Sequence, residues 1–374
     1  MRKVEKTRWK SVRDAVNVPL LLWTIGLVIY GSVVVASATS GMTGGPGMFR
    51  RHLLGVAIGL VPMIVAWVVD YKVLKHWSGP LMVALSFLLI SPRIPGLGGA
   101  AKGATLWLQI GDVRLFQPSE PAKLLLIVVM AALIADFEGK MDRPKDVARI
   151  MGYLAMAMVL ILLQPDLGTG LVFIAITMTM LLVGGMKGRY FAVLALVGAL
   201  GIGVVLGFHL LQQYQEDRLL VFVDPTRDPQ GAGYNLAQAK IAIGSGGVSG
   251  QGLGSGTQGN LHFLPERHTD FIFAVLGEEL GFVGALLLLG LYLALLVTAL
   301  AIAASSRDLY GALIVAGVIG MWTFQILENI GMSLGMMPIT GIPLPFLSFG
   351  SSAMVTNLGG VGLILSVWSR RYGT

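Results

Sequence analysis

Asp270 is the strongest candidate for chemistry in this chain, because it closes the long hydrophilic stretch that ends with residues 264–270. The next residue, Phe271, begins an apolar run. A carboxylate at such a boundary costs free energy unless it has a partner or a function. It is suited to act as a general base on a polar substrate that is itself anchored in lipid. An Asp before an apolar helix is also a good N-cap, so the residues alone leave catalysis and capping open.

Glu120 and Lys123 form a second pair of interest, since a spacing of three places both side chains on one face of a helix. Pro118, just before them, favours a helix start at this point. The two residues form either an ion pair at a helix end or a ligand site. In the second case Lys123 holds a phosphate group of a ligand and Glu120 orients it.

Three single residues are further candidates. Asp166 follows Pro165, which breaks a helix, so Asp166 either caps the next helix or joins Asp270 in one cleft. Trp107 is either an interface anchor or a ring that stacks on a sugar. Lys240 lies in Ala237–Ile243, which is predicted to form a short amphipathic helix on the membrane surface.

Two acids, Glu278 and Glu279, lie inside the apolar run that follows Asp270, and an acid in such a place needs a partner. Arg267 and Lys123 are the candidate partners. Another polar pair inside an apolar segment is interpreted first as structural and second as functional; it consists of Glu328 and Asn329.

Membrane-spanning helices must position these side chains. The chain has 374 residues, 55% of them hydrophobic and 13% charged, well below the roughly 25% charged residues of a soluble domain. The alternating pattern of an outer-membrane barrel is absent from the sequence. The absence of cysteine excludes disulfides and thiolate metal sites. The net charge of +7 is explained by basic residues beside spans, so nucleic acid is not a predicted partner.

The predicted fold is an all-α polytopic membrane protein, with a single transmembrane domain over residues 1–374 and a large extracytoplasmic loop at 212–270. The basic segment Met1–Asn17 is predicted to be a cytoplasmic leader to the first span rather than a removed signal. The eighth span is longer than one crossing needs, so we expect it to tilt or to project from the bilayer. About ten apolar segments reach or approach the length needed to cross a bilayer; they are Val18–Ala38, Leu53–Val69, Trp77–Ile90, Ala122–Ala135, Ile150–Leu163, Thr169–Gly185, Tyr190–Leu211, Phe271–Ala304, Tyr310–Met332 and Ser351–Trp368.

The distribution of basic residues predicts which side of the membrane each loop between these spans faces. Most of the clusters between spans fall on one side, which is therefore the cytoplasmic side and holds both termini. The exceptions favour an anionic ligand on the outer side over ordinary solvated loop charges; they are Arg50, Arg51, Arg93, Lys102, Arg114, Arg218, Arg227, Lys240 and Arg267.

The predicted outer loop contains a glycine-rich run, Gly244–Gly256. Glycine permits positive φ and close approach of the backbone. The run either cradles a phosphate with its amides or is a simple flexible loop. It is not a P-loop, because no Gly-Lys-Ser/Thr follows it.

Six motifs follow one another along the chain; they are Gly103–Leu108, Phe116–Lys123, Gln164–Thr169, Asp228–Tyr234, Leu264–Gly281 and Asn329–Ser348. Taken together and in order, they resemble the RodA/FtsW family of polytopic cell-wall polymerases, the SEDS proteins. The resemblance covers nearly the whole chain, and Arg267 makes it more similar to the RodA branch than to the FtsW branch. The family usually has Ser-Tyr-Gly-Gly-Ser before the last span, whereas this chain has Phe349 and Ser351 there, which puts the local hydrogen bonding in doubt.

The resemblance implies a peptidoglycan glycosyltransferase in the cytoplasmic membrane. Such an enzyme joins the disaccharide-peptide of lipid II to a nascent glycan strand at the outer membrane surface. It implies a class B penicillin-binding transpeptidase and other elongation proteins as partners. It favours Asp270 as general base, and the predicted substrate contacts are Lys123, Glu120, Asp166, Trp107, Lys240 and Arg267.

Two other functions remain as alternatives: a lipid II flippase, which has the same substrate, and, more weakly, a scaffold that docks a partner enzyme. A long outer segment that ends in an acid favours the enzyme, and no convincing inverted repeat with broken helices favours transport. A divalent cation that neutralises the leaving pyrophosphate is compatible with this chemistry. No sequence feature establishes it, because no standard metal motif is matched by His262, Glu266, His268 and Asp270.

Overall fold

The computed structural model of the protein describes residues 15–372, apart from 43, 102–103, 111–112, 142, 209–212, 225–227, 230, 257–263 and 265. Most of the predicted leader, residues 1–14, therefore lies outside the described residues. In chain order the elements are α1 (Val18–Thr39), α2 (Gly45–Val68), α3 (Tyr71–His76), α4 (Ser78–Ile90), β1 (Gly98–Ala101), β2 (Ala104–Ile110), β3 (Val113–Phe116), α5 (Ser119–Ala135), α6 (Pro144–Leu162), α7 (Leu167–Val183), α8 (Gly188–Gly207), α9 (Gln213–Val223), α10 (Ala232–Gly246), α11 (Ile272–Ala304), α12 (Leu309–Leu334) and α13 (Ser351–Ser369).

Each predicted span lies on one of these helices. Within the described part of the chain, 5 helices are long and apolar enough to cross a membrane, namely α1, α2, α11, α12 and α13. Shorter apolar helices lie at Ser78–Arg93, Leu167–Val183 and Gly188–Gly201. The chain is therefore an integral membrane protein with a predominantly helical fold.

The long helices differ in how much of their surface is covered by protein. The most apolar stretches of α12 and α13 are 72% and 78% buried, whereas that of α2 is 17% buried. The helices α1, α2 and α11 expose many large apolar side chains, as expected of helices that face lipid. The helices α12 and α13 form the centre of the bundle.

A small antiparallel sheet with strand order β1-β2-β3 joins α4 to α5, and the sequence did not predict it. The strand β1 consists of glycine and alanine, which carry no alternating apolar pattern. Trp107 lies on β2 opposite Gly99. The sheet leads the chain into α5, the helix that carries Glu120 and Lys123.

Two helices, α9 and α10, lie within the predicted outer loop. Asp228 starts α10, because its carboxylate accepts hydrogen bonds from the amides of Gly231 at 2.9 Å and Ala232 at 2.6 Å. The helix α10 is longer than the amphipathic segment predicted at Ala237–Ile243. Residues 257–263 of the predicted loop lie outside the described part.

The long helix α11 is broken at Gly281, where the backbone is non-helical (φ 63, ψ −161). Residues 247–254, which we call the glycine strap, pair with the backbone at this break. The amides of Phe282 and Val283 donate to the carbonyls of Gly247 at 2.9 Å and Val248 at 3.1 Å. The break divides this unusually long helix into two shorter helical parts, while its tilt or projection from the bilayer stays a prediction.

The strap also donates hydrogen bonds to α11. The amides of Gln251 and Gly252 donate to the carbonyls of Glu278 at 3.0 Å and Glu279 at 2.9 Å. The strap thus satisfies backbone groups that a broken helix would leave unpaired, which is a requirement in apolar surroundings. Because the amides of Gln251 and Gly252 bond to α11, they are not available to cradle a phosphate. The same bonds show that this part of the glycine-rich run is not a simple flexible loop.

A polar network surrounds Asp308, the residue at which α12 begins. The hydroxyl of Tyr71 donates to Asp308 Oδ2 at 2.7 Å, and Lys72 lies 3.7 Å from the same oxygen. Arg370 lies 3.4 Å from Asp70. These contacts tie α3 to α12 and α13.

Candidate functional site

Asp270 lies in a tight turn at the start of α11, and its residue is partly exposed. The amides of Thr269 and Asp270 both donate to the carbonyl of Glu266 at 3.1 Å, and Glu266 has a positive φ of 54°. The cap residue of α11 is Phe271. Asp270 therefore precedes the cap position, which weakens the capping interpretation of its carboxylate.

Three consecutive carbonyl groups hold this turn against the C-terminal part of the chain. The carbonyl of His268 accepts from the amide of Phe349 at 2.8 Å. The carbonyl of Thr269 accepts from the hydroxyl of Ser348 at 2.7 Å. The carbonyl of Asp270 accepts from the side-chain amide of Asn329 at 2.9 Å. The backbone that carries the Asp270 carboxylate is thus fixed by one helix, α12, and by the segment that connects α12 to α13.

The carboxylate of Asp270 lies beside Gly341, in the segment between α12 and α13. A Cβ atom on Gly341 would lie 3.2 Å from Asp270 Oδ2 and 3.9 Å from Arg218 Nη1. A carboxylate and a guanidinium therefore approach the same point. This arrangement combines a proton acceptor with a group suited to bind an anion.

Asp166 caps α7, as one of its two interpretations predicted. Its carboxylate accepts from the amide of Thr169 at 3.0 Å and from the Thr169 hydroxyl at 2.8 Å. It also accepts from the hydroxyl of Ser119, at the start of α5, at 3.4 Å. The same turn reaches the segment beside Asp270, because a Cβ on Gly168 would lie 3.2 Å from the carbonyl oxygen of Thr340. Asp166 thus both caps a helix and lies one short segment away from Asp270.

Glu120 and Lys123 form a buried ion pair, with Lys123 Nζ 2.7 Å from Glu120 Oε1 and side-chain exposures of 2% for Lys123 and 5% for Glu120. They follow directly after Ser119, the residue that donates to Asp166. The pair is therefore one turn of α5 away from Asp166. Lys123 pairs with Glu120 rather than with the acids of α11.

Arg267 is the residue that faces those acids. It is 3% exposed, and its guanidinium donates to the carbonyl of Ser40 at 3.2 Å. Burial lowers the pKa of Arg267, while Glu279 and Glu278 act to raise it. Glu279 also accepts from the hydroxyl of Ser37 at 2.8 Å. Arg267 thus lies within electrostatic range of a buried acidic pair, as one of its two predicted roles requires.

Two other predicted contacts lie on α10 and on the sheet. Lys240 is exposed, and its Nζ adjoins Gly335, the residue that ends α12. A cation at a helix C-terminus is favoured by the helix dipole. Trp107 belongs to the sheet and is partly exposed. The helix α10 that carries Lys240 packs against Phe271 and Ile339, next to the Asp270 turn and the Gly341 segment.

Phe349, the departure from the family pattern, packs between two histidines. Its ring centroid lies 5.3 Å from that of His268 and 6.5 Å from that of His52. The hydrogen bonds of this region come from the Phe349 amide and the Ser348 hydroxyl, so the turn at Asp270 is anchored without a tyrosine hydroxyl.

Several residues at Asp270 were not predicted as site residues. Arg218 appeared only among the outward basic residues. Asn329 was interpreted first as structural and second as functional, and Ser348 appeared only as the end of a family motif. Thr340 carried no signal of its own. The sequence did mark their segment, because Pro338–Pro345 is rich in proline and glycine between two apolar helices.

The described residues contain no group of three or more His, Asp or Glu side chains that could hold a metal ion. His262 lies outside them. An apolar cleft of about 150 Å³ lies along α5 and is lined by Pro62, Ala66, Leu74, Leu81, Leu124, Leu125, Val128, Gly359 and Leu363.

Comparison with known proteins gives consistent matches over almost the full chain. A family model named FTSW_RODA_SPOVE and described as a cell cycle protein matches residues 14–372. The chain is 38% identical over 368 residues to the peptidoglycan glycosyltransferase MrdB of Escherichia coli (strain K12), covering 98% of this chain and 96% of MrdB. It is 37% identical over 353 residues to stage V sporulation protein E of Bacillus subtilis (strain 168), covering 94% of this chain and 95% of that protein.

Solved structures give the same result. A chain from a study of how a peptidoglycan synthase complex coordinates polymerization and crosslinking matches with a TM-score of 0.78 and 31% identity, covering 95% of this chain and 98% of that one. The rod shape determining protein RodA of Thermus thermophilus matches with a TM-score of 0.70 and 30% identity, covering 95% of this chain and 97% of RodA.

Proposed function

The chain belongs to the family of FtsW, RodA and SpoVE, and we propose that it polymerises lipid II with Asp270 as the general base. It is a peptidoglycan glycosyltransferase that serves cell elongation. The observation that carries the assignment of the base is the anchoring of the Asp270 turn by three consecutive carbonyl groups beside Arg218. A general base must be held in a fixed place to act on one hydroxyl.

The reaction replaces one bond at the anomeric carbon by another and transfers one proton. The hydroxyl oxygen of the acceptor sugar attacks the anomeric carbon of the donor, and Asp270 takes the hydroxyl proton. The bond from the anomeric carbon to the pyrophosphate oxygen breaks, and its electron pair leaves with the lipid pyrophosphate. Arg218, which approaches the same point as Asp270, is suited to neutralise the charge that develops on the leaving group.

Glu120 and Lys123 are proposed to contact the pyrophosphate of a bound lipid. In their ion pair the charge of Lys123 is already balanced by Glu120. A pyrophosphate that binds here would share or replace this partner, since a lysine is a compact charge suited to phosphate. Asp166, one turn away, is proposed to hold the start of α5 in place.

The isoprenoid of the substrate needs an apolar surface close to these polar groups. Leu124 and Leu125 directly follow Lys123 and line the apolar cleft on α5. An apolar cleft on the helix that carries the charged pair supports a substrate whose head group is polar and whose tail is lipid.

We further propose that the protein lies in the cytoplasmic membrane with both termini in the cytoplasm and the Asp270 end of the bundle outside. The distribution of basic residues supports this orientation. A class B penicillin-binding transpeptidase is the proposed partner, and a similar chain was solved in a complex for polymerization and crosslinking. A divalent cation remains a candidate for the pyrophosphate.

One observation favours a second function, lipid II transport. Broken helices are typical of transporters, and α11 is broken at Gly281. The glycine strap, however, occupies the backbone groups of this break. They are therefore not available to line a substrate path, and the polymerase remains the better supported function.

The test uses the purified full chain and lipid II in detergent, with detection of glycan strands. We expect polymer without any other transferase, and none from Asp270→Asn, although this variant should insert and melt like the parent. The matched control is Asp136→Asn, because Asp136 is exposed and pairs only with Lys75 at 3.0 Å among the described residues. An active Asp270→Asn enzyme would remove the assignment of the base. Translocation in vesicles without polymerisation would support the transporter.

A further inference from the structure

Two consecutive buried residues of α12, Glu328 and Asn329, hold the segment that lies against Asp270. Glu328 is 3% exposed, and its Oε1 accepts from the hydroxyl of Thr340 at 2.8 Å. Asn329 is 0% exposed, and its side-chain amide donates to the carbonyl of Ile342 at 2.8 Å. Neighbouring residues of a helix point in different directions, so the segment is held at two separate points.

The segment Thr340–Ile342 lies between the two carboxylates of the site. On one side Gly341 adjoins Asp270 Oδ2, and on the other the carbonyl of Thr340 adjoins Gly168 in the turn that Asp166 caps. A shift of this segment would therefore move the surroundings of both Asp270 and Asp166.

Asn329 connects the segment directly to Asp270. The same side-chain nitrogen that donates to Ile342 also donates to the carbonyl of Asp270 at 2.9 Å. The amide of Asn329 thus joins the backbone of Asp270 to the backbone of Ile342, the residue after Gly341. The Oδ1 atom of Asn329 is buried and has no hydrogen-bond partner among the described residues. This orientation of the side-chain amide therefore costs free energy of folding.

A contribution to stability does not explain why the buried positions 328 and 329 carry polar side chains. A buried acid is expensive in an apolar helix, and the hydroxyl of Thr340 is the one hydrogen-bond donor to Glu328 that the described residues supply. Replacing such groups with apolar side chains often leaves a protein as stable or more stable. Their contacts all lead to the segment beside Asp270, which indicates a role in geometry.

We propose that Glu328 and Asn329 are positioning residues for glycosyl transfer, which fix the Asp270 carboxylate through Thr340, Ile342 and the carbonyl of Asp270. This inference rests on the proposed function, because it assigns a task to groups that surround the proposed base. A misplacement of about 1 Å reduces the rate of a reaction by up to about a hundredfold. The loss falls on kcat, whereas substrate binding is kept.

The first test changes the hydroxyl that joins the segment to Glu328. Thr340→Val keeps the shape of the side chain and removes its hydrogen bond, and Thr340→Ser restores the hydroxyl. We expect Thr340→Val to lower kcat by about tenfold to a hundredfold with KM nearly unchanged, and Thr340→Ser to recover most of the loss. Thr298→Val is the control, since the Thr298 hydroxyl bonds only within its own helix, to Ala294 at 2.7 Å.

The second test measures how the surroundings of Asp270 affect the pH dependence of kcat. Asn329→Asp has nearly the same shape but replaces two donors by acceptors that face two carbonyl groups. A second carboxyl group beside Asp270 disfavours the ionised form of the base. We expect the acidic limb of the kcat profile to move to higher pH, together with a lower maximum. A residue that only stabilised the fold would change the melting temperature and leave this limb in place.

The outcomes separate this inference from the proposed function. If Asp270→Asn polymerises lipid II, the proposed function fails whatever the other variants do. If Asp270→Asn is inactive while Thr340→Val and Asn329→Asp keep the parental kcat and pH profile, the positioning role is overturned. The same holds if Thr340→Ser fails to restore the kcat that Thr340→Val loses.

Discussion

The α-carbon of Gly341 lies so close to the carboxylate of Asp270 that a Cβ atom at this position would stand 3.2 Å from Oδ2. Gly341 has a φ of 75°, a conformation that residues with a side chain rarely adopt. The glycine thus meets two requirements at once. It allows the turn of the segment, and it leaves room for the carboxylate.

Gly341→Ala should therefore reduce polymerisation strongly. The methyl group would crowd the proposed base, and the positive φ would add strain of about 1–3 kcal/mol. Glycan synthesis from lipid II and thermal unfolding in detergent measure the two effects separately. We expect a loss of activity larger than the loss of stability explains.

Gly41→Ala is the matched control. Gly41 has the same φ of 75°, and a Cβ there would meet nothing within 4 Å. Both variants should lose a similar amount of stability, but Gly41→Ala should keep its activity. Equal activity of the two variants would mean that the space beside Asp270 is not needed for the reaction.

The strap gives a prediction on stability. Gly281 has a φ of 63°, and a Cβ there would lie 2.3 Å from the backbone nitrogen of Gly250. In Gly281→Ala the strap must move away from the break, so that the hydrogen bonds between the two are lost. We expect a destabilisation of about 3 kcal/mol or more, measured by thermal unfolding, with faster proteolysis within residues 247–254.

Gly290→Ala tests whether any glycine of this helix would behave in the same way. A Cβ on Gly290 meets nothing within 4 Å, so this variant should melt at the parental temperature or slightly above it. If both variants melt alike and the strap stays protected from protease, the strap does not stabilise the break.

Hydropathy predicted the helices because it reports which segments favour lipid. It therefore located α11 and placed Asp270 at its start. It did not predict the break at Gly281, since the pairing of residues 247–254 with residues 278–283 depends on contacts between distant segments. It missed β1 for a different reason, because a strand of glycine and alanine carries no alternating apolar pattern.

The candidate site was predicted in part. The motifs gave Asp270, Glu120 and Lys123, and the structure places a buried ion pair and a capping Asp166 near the same segment. Arg267 was proposed both as a substrate contact and as a partner for the acids of α11, and its contacts fit the second role. Spacing along the chain cannot distinguish these roles, because both place a cation beside negative charge.

The opposite end of the bundle provides a prediction on a single hydrogen bond. In Tyr71→Phe the bond of 2.7 Å to Asp308 is lost. Asp308 keeps the amide of Gly311 at 2.8 Å and Lys72 at 3.7 Å, so no unpaired buried charge results. We expect a loss of about 1–2 kcal/mol at pH 7, measured by thermal unfolding in detergent.

The effect of Tyr71→Phe should also depend on pH. Burial, with Asp308 as the next cause, raises the pKa of Tyr71 above the usual tyrosine value, which is about 10. Since the folded phenol keeps its proton to higher pH than the unfolded phenol, its contribution to stability is fully present below pH about 10 and is lost as the pH rises through the folded pKa. The difference in stability between the parent and Tyr71→Phe should therefore shrink above pH about 10.

Tyr153→Phe serves as the control, because Tyr153 is only partly buried and has no hydrogen bond among the described residues. A difference between the parent and Tyr71→Phe that stays constant from pH 7 to pH about 11 would show that the phenol proton does not support the bond to Asp308.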